Sequence, residues 1–163
     1  MTDAEIDAIL RACGYERGAV PESQTQLVGW CVLWAVETAM RAGEIVRALD
    51  NSGDVCPEKC TCDIRTGKTG ARTIPLTPEA VRLWGLRGKV GITGANLDTL
   101  FRKAKGRALL GDLHFHDLRA ESLTRLSRRV DVLTLARISG HKDLRILLET
   151  YYRETAEEIA RRL

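Results

Sequence analysis

At 163 residues the chain suits one domain with a real core, or one large and one very small domain. Its 44% apolar content makes disorder a poor description, and no uninterrupted apolar run approaches the about 18 residues that a membrane span needs. The 25 basic residues exceed the 22 acidic ones by too little to identify a nucleic-acid binder, because a basic face matters more than the total.

Residues 3–12 place Ile6, Ile9 and Leu10 on one helical face and end at Gly14. Pro21-Glu22-Ser23 then opens an apolar segment from Leu27 to Met40, and its Trp30, Leu33, Trp34 and Val36 predict a buried core helix. Arg41-Ala42-Gly43-Glu44 follows, and Ile45 to Leu49 resumes the pattern, which predicts a break at Gly43 and a second short helix. Asn51-Ser52-Gly53-Asp54 reads as a turn, Thr61 to Arg65 as a strand, and Gly67-Lys68-Thr69-Gly70 as a second turn. Arg72-Thr73-Ile74-Pro75-Leu76 reads as an edge strand ended by proline, so a small antiparallel sheet carries Lys68 near a hairpin tip.

Three of the five cysteines, Cys56, Cys60 and Cys62, form a C-x3-C-x-C cluster in this region. Structural zinc wants a fourth ligand and usually a second cysteine pair, and neither is evident, so ordinary thiols in a reducing cytoplasm and no metal are expected. Thr77-Pro78-Glu79 restarts helix with a cap followed by proline, and Val81, Leu83, Trp84 and Leu86 line it. From residue 95, Leu97, Leu100, Phe101 and Ala104 form a helical face, flanked by Arg102, Lys103, Lys105 and Arg107. After the Gly111-Asp112 turn, residues 116–127 predict a helix with Leu118, Leu123 and Leu126 inward. Asp131 begins another that stops at Gly140, Leu144 to Leu148 starts a third, and residues 154–163 supply a final amphipathic turn or two. The fold class expected is mainly α with a small antiparallel β-sheet, in one domain.

All three histidines, His114, His116 and His141, lie in the last third. His116 and Arg119 face one direction on a helix, where an imidazole and a guanidinium can grip neighbouring phosphate oxygens. The plainer alternative is a capping histidine beside a surface arginine, with Asp117 closing the helix start. His141 follows glycine at a helix terminus, where backbone N–H groups attract anions, or it simply packs its own turn. Arg41 stands beside a glycine at the mouth of the core helix. Gly67-Lys68-Thr69-Gly70 lacks the spacing of a nucleotide-binding loop, but a lysine at a hairpin tip can reach a DNA groove and a leaving oxygen. Tyr151 and Tyr152 are candidate nucleophiles. A phenol with a free pKa of about 10 needs nearby cations to favour its phenolate.

Together these pieces resemble the catalytic domain of the tyrosine recombinases, the phage-type integrases. Glu37-Thr38-Ala39-Met40-Arg41-Ala42-Gly43-Glu44 resembles the family's first arginine box, and Gly67-Lys68-Thr69-Gly70-Ala71-Arg72-Thr73-Ile74-Pro75-Leu76 its β-hairpin lysine segment. His116-Asp117-Leu118-Arg119 is similar to its H-x-x-R box, and Ile138-Ser139-Gly140-His141-Lys142-Asp143-Leu144-Arg145 to its second histidine box. The resemblance implies attack by a tyrosine on a DNA phosphodiester, giving a 3′-phosphotyrosyl link and a free 5′-hydroxyl, followed by strand exchange. It implies no cofactor, ATP or metal.

By the same resemblance, Arg41 and Arg119 clamp the non-bridging oxygens and Lys68 protonates the leaving oxygen. His116 assists proton movement, His141 hydrogen-bonds the phosphate, and Glu44 braces the site. Arg72, Lys142 and Arg145 are expected on DNA. The family often places the nucleophile nine residues after the second histidine, where Thr150 stands here. One inserted residue points to Tyr151, with Tyr152 as the rival. The implied partner is double-stranded DNA carrying a specific recombination site, engaged by a homo-tetramer on paired sites. No membrane is implied, and the setting is the cytoplasm of a bacterial or phage-infected cell.

Residues 1–163 would then be the catalytic domain, with the family's N-terminal core-binding and arm-binding domains absent. Residues 154–163 would exchange between protomers or fold back. A module of the same fold without catalysis, and a type IB topoisomerase-like relaxing enzyme, are the alternatives.

Overall fold

The computed structural model describes residues 1–66, 70–153 and 155–161, the side chain of Ile159 excepted. Helix α1 (Asp3–Cys13) starts in a reciprocal cap: Glu5 N–H donates to the Thr2 hydroxyl at 3.3 Å, and Thr2 N–H donates to the Glu5 carboxylate at 2.6 Å. It ends at Gly14 in the left-handed region, φ 62°.

Helix α2 (Gln24–Thr38) is buried at every residue from Leu27 to Val36 and packs against α1 and three later helices, α4 (Pro78–Gly85), α5 (Gly94–Arg107) and α6 (Phe115–Ser127). A helix apolar on all sides is stable only in such a central position. Trp30 and Trp34 stack on it with ring centroids 5.2 Å apart, and Trp84 of α4 closes to 5.1 Å from Trp34. The Trp30 indole N–H donates to the Leu83 carbonyl at 2.8 Å, so this buried polar group is satisfied. A Cβ at Gly29 would lie 2.6 Å from the Tyr15 Cβ, which explains a glycine in the helix interior.

The break after α2 falls at Ala39, in the left-handed region at φ 55°, and not at Gly43 as expected. Gly43 lies inside α3 (Ala42–Asp50), where it needs no unusual backbone. Side chains decide the difference. The Thr38 hydroxyl donates to the Trp34 carbonyl at 2.6 Å and accepts Met40 N–H at 3.3 Å, which turns the chain one residue after the helix.

Strands β1 (Val55–Cys56), β2 (Thr61–Ile64) and β3 (Arg72–Pro75) form an antiparallel sheet in the order β1-β2-β3. The register pairs Val55 with Cys62 and Cys62 with Ile74, so one buried row crosses all three strands, while Asp63 and Thr73 face outward. Pro75 on an edge strand costs no ladder bond. The three clustered cysteines diverge. Cys62 is in the core, where burial pushes its thiol up to about 12, Cys60 is exposed, and Cys56 is half-buried. Among the described residues no group of three or more His, Cys, Asp or Glu side chains could hold a metal ion.

Three short helices complete the described chain: α7 (Val132–Ser139), α8 (Leu144–Tyr151) and α9 (Ala156–Ala160). A second, smaller cluster joins the end of α2 to α6, α7 and α8 through Ala39, Leu123, Leu135, Ala136 and Leu147, with Tyr151 and Tyr152 at its margin. The fold is mainly α with a small antiparallel sheet, as the sequence predicts. Among the described residues no helix is long and apolar enough to cross a membrane.

Candidate active site

Arg119 is the hub. It lies on the inner face of α6, 2% exposed, and its guanidinium donates to the carbonyls of Ala39 and Ser139, the latter at 2.6 Å. Ala39 ends α2 two residues before Arg41, and Ser139 ends α7 two residues before His141. One fork therefore ties together the two corners that carry the other candidates. Burial is the main cause that lowers the Arg119 pKa, to about 10, with the Arg41 and Arg72 charges adding to it and Glu44 and Tyr151 opposing. That value still leaves the group charged at neutral pH.

Arg41 caps α3, half-buried, and Glu44 holds it twice: the Arg41 backbone N–H donates at 3.0 Å and its guanidinium at 3.1 Å. Glu44 is itself 4% exposed. Arg72 grips this carboxylate with two N–H groups at 3.0 Å and donates its Nε–H to the Ile138 carbonyl at 2.9 Å. In this structure it is a strut joining β3, α3 and α7. This ion pair is not legible in the sequence, because nothing local announces a partner 28 positions away.

The Glu44 carboxyl is held below the ordinary carboxylate range. Burial is the largest influence and raises it, but the Arg72 and Arg41 hydrogen bonds and charges together outweigh burial. A depressed folded-state pKa means that the latch contributes stability above the unfolded carboxylate pKa and is lost as pH falls through the folded one. Glu44→Gln is therefore expected to lose about 3 kcal/mol at neutral pH, since it leaves Arg72 buried beside a neutral amide. Its stability should also fall less steeply than wild type between neutral pH and the acid limb. Urea melts at a series of pH values measure both, and parallel curves would remove the latch.

His141 sits between Gly140, which ends α7 in the left-handed region at φ 73°, and Asp143, which caps α8. At that helix start Asp143 accepts Arg145 N–H at 3.0 Å. Arg145 is also paired with Asp143, at 3.1 Å, and both Arg145 and Lys142 are exposed on this turn. The half-buried His141 ring has its pKa lowered by burial first, then by Arg119, Arg41, Arg72 and His116. His116 is exposed in the first turn of α6, and Asp117 closes that turn by accepting His114 N–H at 2.7 Å. Lys68 lies outside the described residues.

The two tyrosines differ. Tyr152 donates its hydroxyl to the Val130 carbonyl at 2.6 Å, and its pKa is raised by burial and by Asp131. Tyr151, the last residue of α8, has no hydrogen-bond partner for its hydroxyl among the described residues. Burial raises its pKa, and the Arg119 charge pulls in the opposite direction. Arg119, Arg41, Arg72 and His116 thus all act on His141, Arg41 and Arg72 also act on Arg119, and Tyr151 couples to Arg119. A group of cations whose field reaches a phenol with no hydrogen-bond partner among the described residues is suited to binding an anion and developing negative charge on oxygen.

Residues 88–158 match the family model described as the phage integrase family. A Haemophilus influenzae protein named "Putative integrase/recombinase" is 47% identical over 138 residues, covering 79% of this chain and 45% of that protein. The shufflon-specific DNA recombinase of Escherichia coli is 33% identical over 122 residues, covering 69% of this chain and 31% of that protein. The chain spans less than half the length of either relative. Among solved structures, the Tn1549 transposon integrase in complex with transposon right end DNA is similar at TM-score 0.74 and 15% identity, over 99% of this chain and 64% of that one. XerA recombinase is similar at TM-score 0.65 and 17% identity, over 99% and 63%. At these identities the structural likeness is one of fold.

Proposed function

We propose that this chain, which carries a tyrosine recombinase family domain, supplies the strand-cleaving centre of a site-specific DNA recombinase. The observation that carries this reading is that Arg119 ties the corners that carry Arg41 and His141 and acts electrostatically on His141 and Tyr151. In this reading Arg41 and Arg119 bind the non-bridging oxygens of the scissile phosphate. Tyr151 Oη attacks phosphorus, the bond to the 5′-oxygen breaks, and a 3′-phosphotyrosyl link remains. His116 assists removal of the phenolic proton, His141 hydrogen-bonds the phosphate, and Lys68 gives the leaving 5′-oxygen its proton. The covalent link retains the energy of the broken phosphodiester, so a 5′-hydroxyl from a second strand reverses the step without ATP or a divalent metal.

Double-stranded DNA with a recombination site is the partner this requires, and paired sites call for a homo-tetramer. The reading is supported by the recombinase relatives and by fold neighbours solved with DNA.

Nicked suicide duplexes tiled across the DNA flanking the protein's own gene test it, with EDTA present and nucleotide omitted. The expected result is an SDS-resistant protein–DNA adduct together with a free 5′-hydroxyl that polynucleotide kinase can label. Duplex binding without adduct would favour a non-catalytic module of the same fold. Cleavage and resealing that never joins two duplexes would favour a relaxing enzyme.

A further inference from the structure

Ser139, at the last position of α7, is fully buried at 0% exposure. Its carbonyl accepts Arg119, which fixes the residue against the hub of the site. Its Oγ lies 2.7 Å from His141 Nδ1, 3.4 Å from His141 N and 3.4 Å from the Ala136 carbonyl. A hydroxyl has one hydrogen to give and lone pairs that accept, so the tautomer of the ring decides whether Nδ1 takes that hydrogen or donates its own to Oγ. The 2.7 Å contact has the length of a strong hydrogen bond, whereas 3.4 Å is at the edge of one. When Nδ1 is unprotonated the hydrogen goes to it along this short contact, while the His141 backbone N–H approaches a lone pair of the same oxygen.

We infer that Ser139 is a positioning residue that fixes His141 as the tautomer protonated on Nε2, so that a neutral imidazole presents a hydrogen-bond donor to a phosphate oxygen. The inference rests on the reading of His141 as a phosphate ligand. It deepens that reading by naming the protonation state that works and the side chain that selects it.

The groups around the ring explain why selection matters. Arg119 and His116 act on it from α6, Arg41 from the corner before α3, and Arg72 from β3. Glu44, the carboxylate closest to these cations, is occupied by Arg41 and Arg72, and Asp143 by Arg145. Burial and the surrounding cations favour the uncharged ring. A neutral imidazole carries one N–H, and the bond made by one nitrogen decides whether the other donates or accepts. With the proton on Nδ1, Nε2 would turn a lone pair towards the phosphate and repel it.

The chain has only three histidines, so imidazole nitrogen NMR on DNA-free protein reads the tautomer directly, with His141→Asn identifying the signals. Wild type is expected to show Nε2–H and an unprotonated Nδ1. Ser139→Ala should show a mixture with a raised His141 pKa, and Ser139→Thr, which keeps the hydroxyl, should restore the wild-type pattern. In the suicide-substrate assay, Ser139→Ala should cleave on the order of tenfold more slowly at about pH 8, the size of effect usual for losing the partner that orients a functional histidine. The deficit should close as pH falls through the His141 pKa, below which the imidazolium carries both N–H groups whatever its neighbour.

An Nδ1–H tautomer in wild type, or a Ser139→Ala deficit of constant size at every pH, overturns the inference. The spectrum needs no DNA, so it decides the tautomer independently of cleavage. A wild type that forms no adduct at any pH overturns the catalytic reading instead.

Discussion

Tyr151→Phe is expected to abolish covalent capture of a suicide DNA substrate, at least about 10³-fold in rate, because it removes the attacking oxygen itself. Tyr152→Phe is expected to keep most of the activity. The two residues are adjacent and both half-buried, so exposure does not separate them. Hydrogen bonding and charge do. The Tyr152 hydroxyl donates to the Val130 carbonyl at 2.6 Å, and its neighbouring charge is the carboxylate of Asp131, which disfavours a phenolate. The Tyr151 hydroxyl is uncommitted among the described residues, and Arg119 favours its phenolate against the opposing effect of burial.

Losing the Tyr152 hydrogen bond should cost about 1 kcal/mol of stability, seen as a small shift in a urea melt, with adduct still forming. Adduct that survives Tyr151→Phe and disappears with Tyr152→Phe would transfer the role to Tyr152. It would also require the Val130 contact to break before attack.

Arg119→Ala is expected to slow cleavage by about 10²–10³-fold, the usual scale for losing a donor to developing charge. It should also lower stability by about 2–4 kcal/mol, since two buried carbonyls lose their donors. The effects are linked because the same guanidinium ties the Ala39 and Ser139 carbonyls and faces the charge field of the site.

Arg119→Lys separates the two roles. An ammonium keeps the charge but has no planar fork, so it can serve one carbonyl well and not both. The pocket lowers the pKa of a cation, chiefly by burial, and a lysine starts from about 10.4. The lysine variant should therefore lose cleavage as pH rises through about 8 to 9, where wild-type Arg119, at about 10, retains its charge. A cleavage rate for Arg119→Lys that follows the wild-type pH profile would show that residue 119 does not clamp the phosphate. An Arg119→Ala protein with an unchanged melt would show that it does not hold the corners.

The helices were legible because apolar period and cap chemistry are local. Thr2, Thr77, Asp131 and Asp143 each cap a helix from its own first turn. The turn at Ala39 was not legible, because an alanine at positive φ is imposed by the Thr38 side chain and the carbonyl contact with Arg119, and composition favours Gly43 instead. Strand β1 also escaped, since a two-residue strand has no period to read.

The sequence by itself determined the chemistry available to this protein: its ordered Arg41, His116, Arg119, His141 and Tyr151, in a mainly helical frame with one small sheet. Only the tertiary structure decided which of those groups share a field and which are already engaged. Arg72 was engaged at Glu44, Tyr152 at Val130, and Ser139 against the His141 ring. The physical reason is that caps and periodicity depend on neighbours three or four residues away, whereas these bonds join backbone carbonyls and charges 20 or more positions apart, or arise where one helix end is pinned by another. Residue type sets which bonds are possible, and packing selects the ones that form.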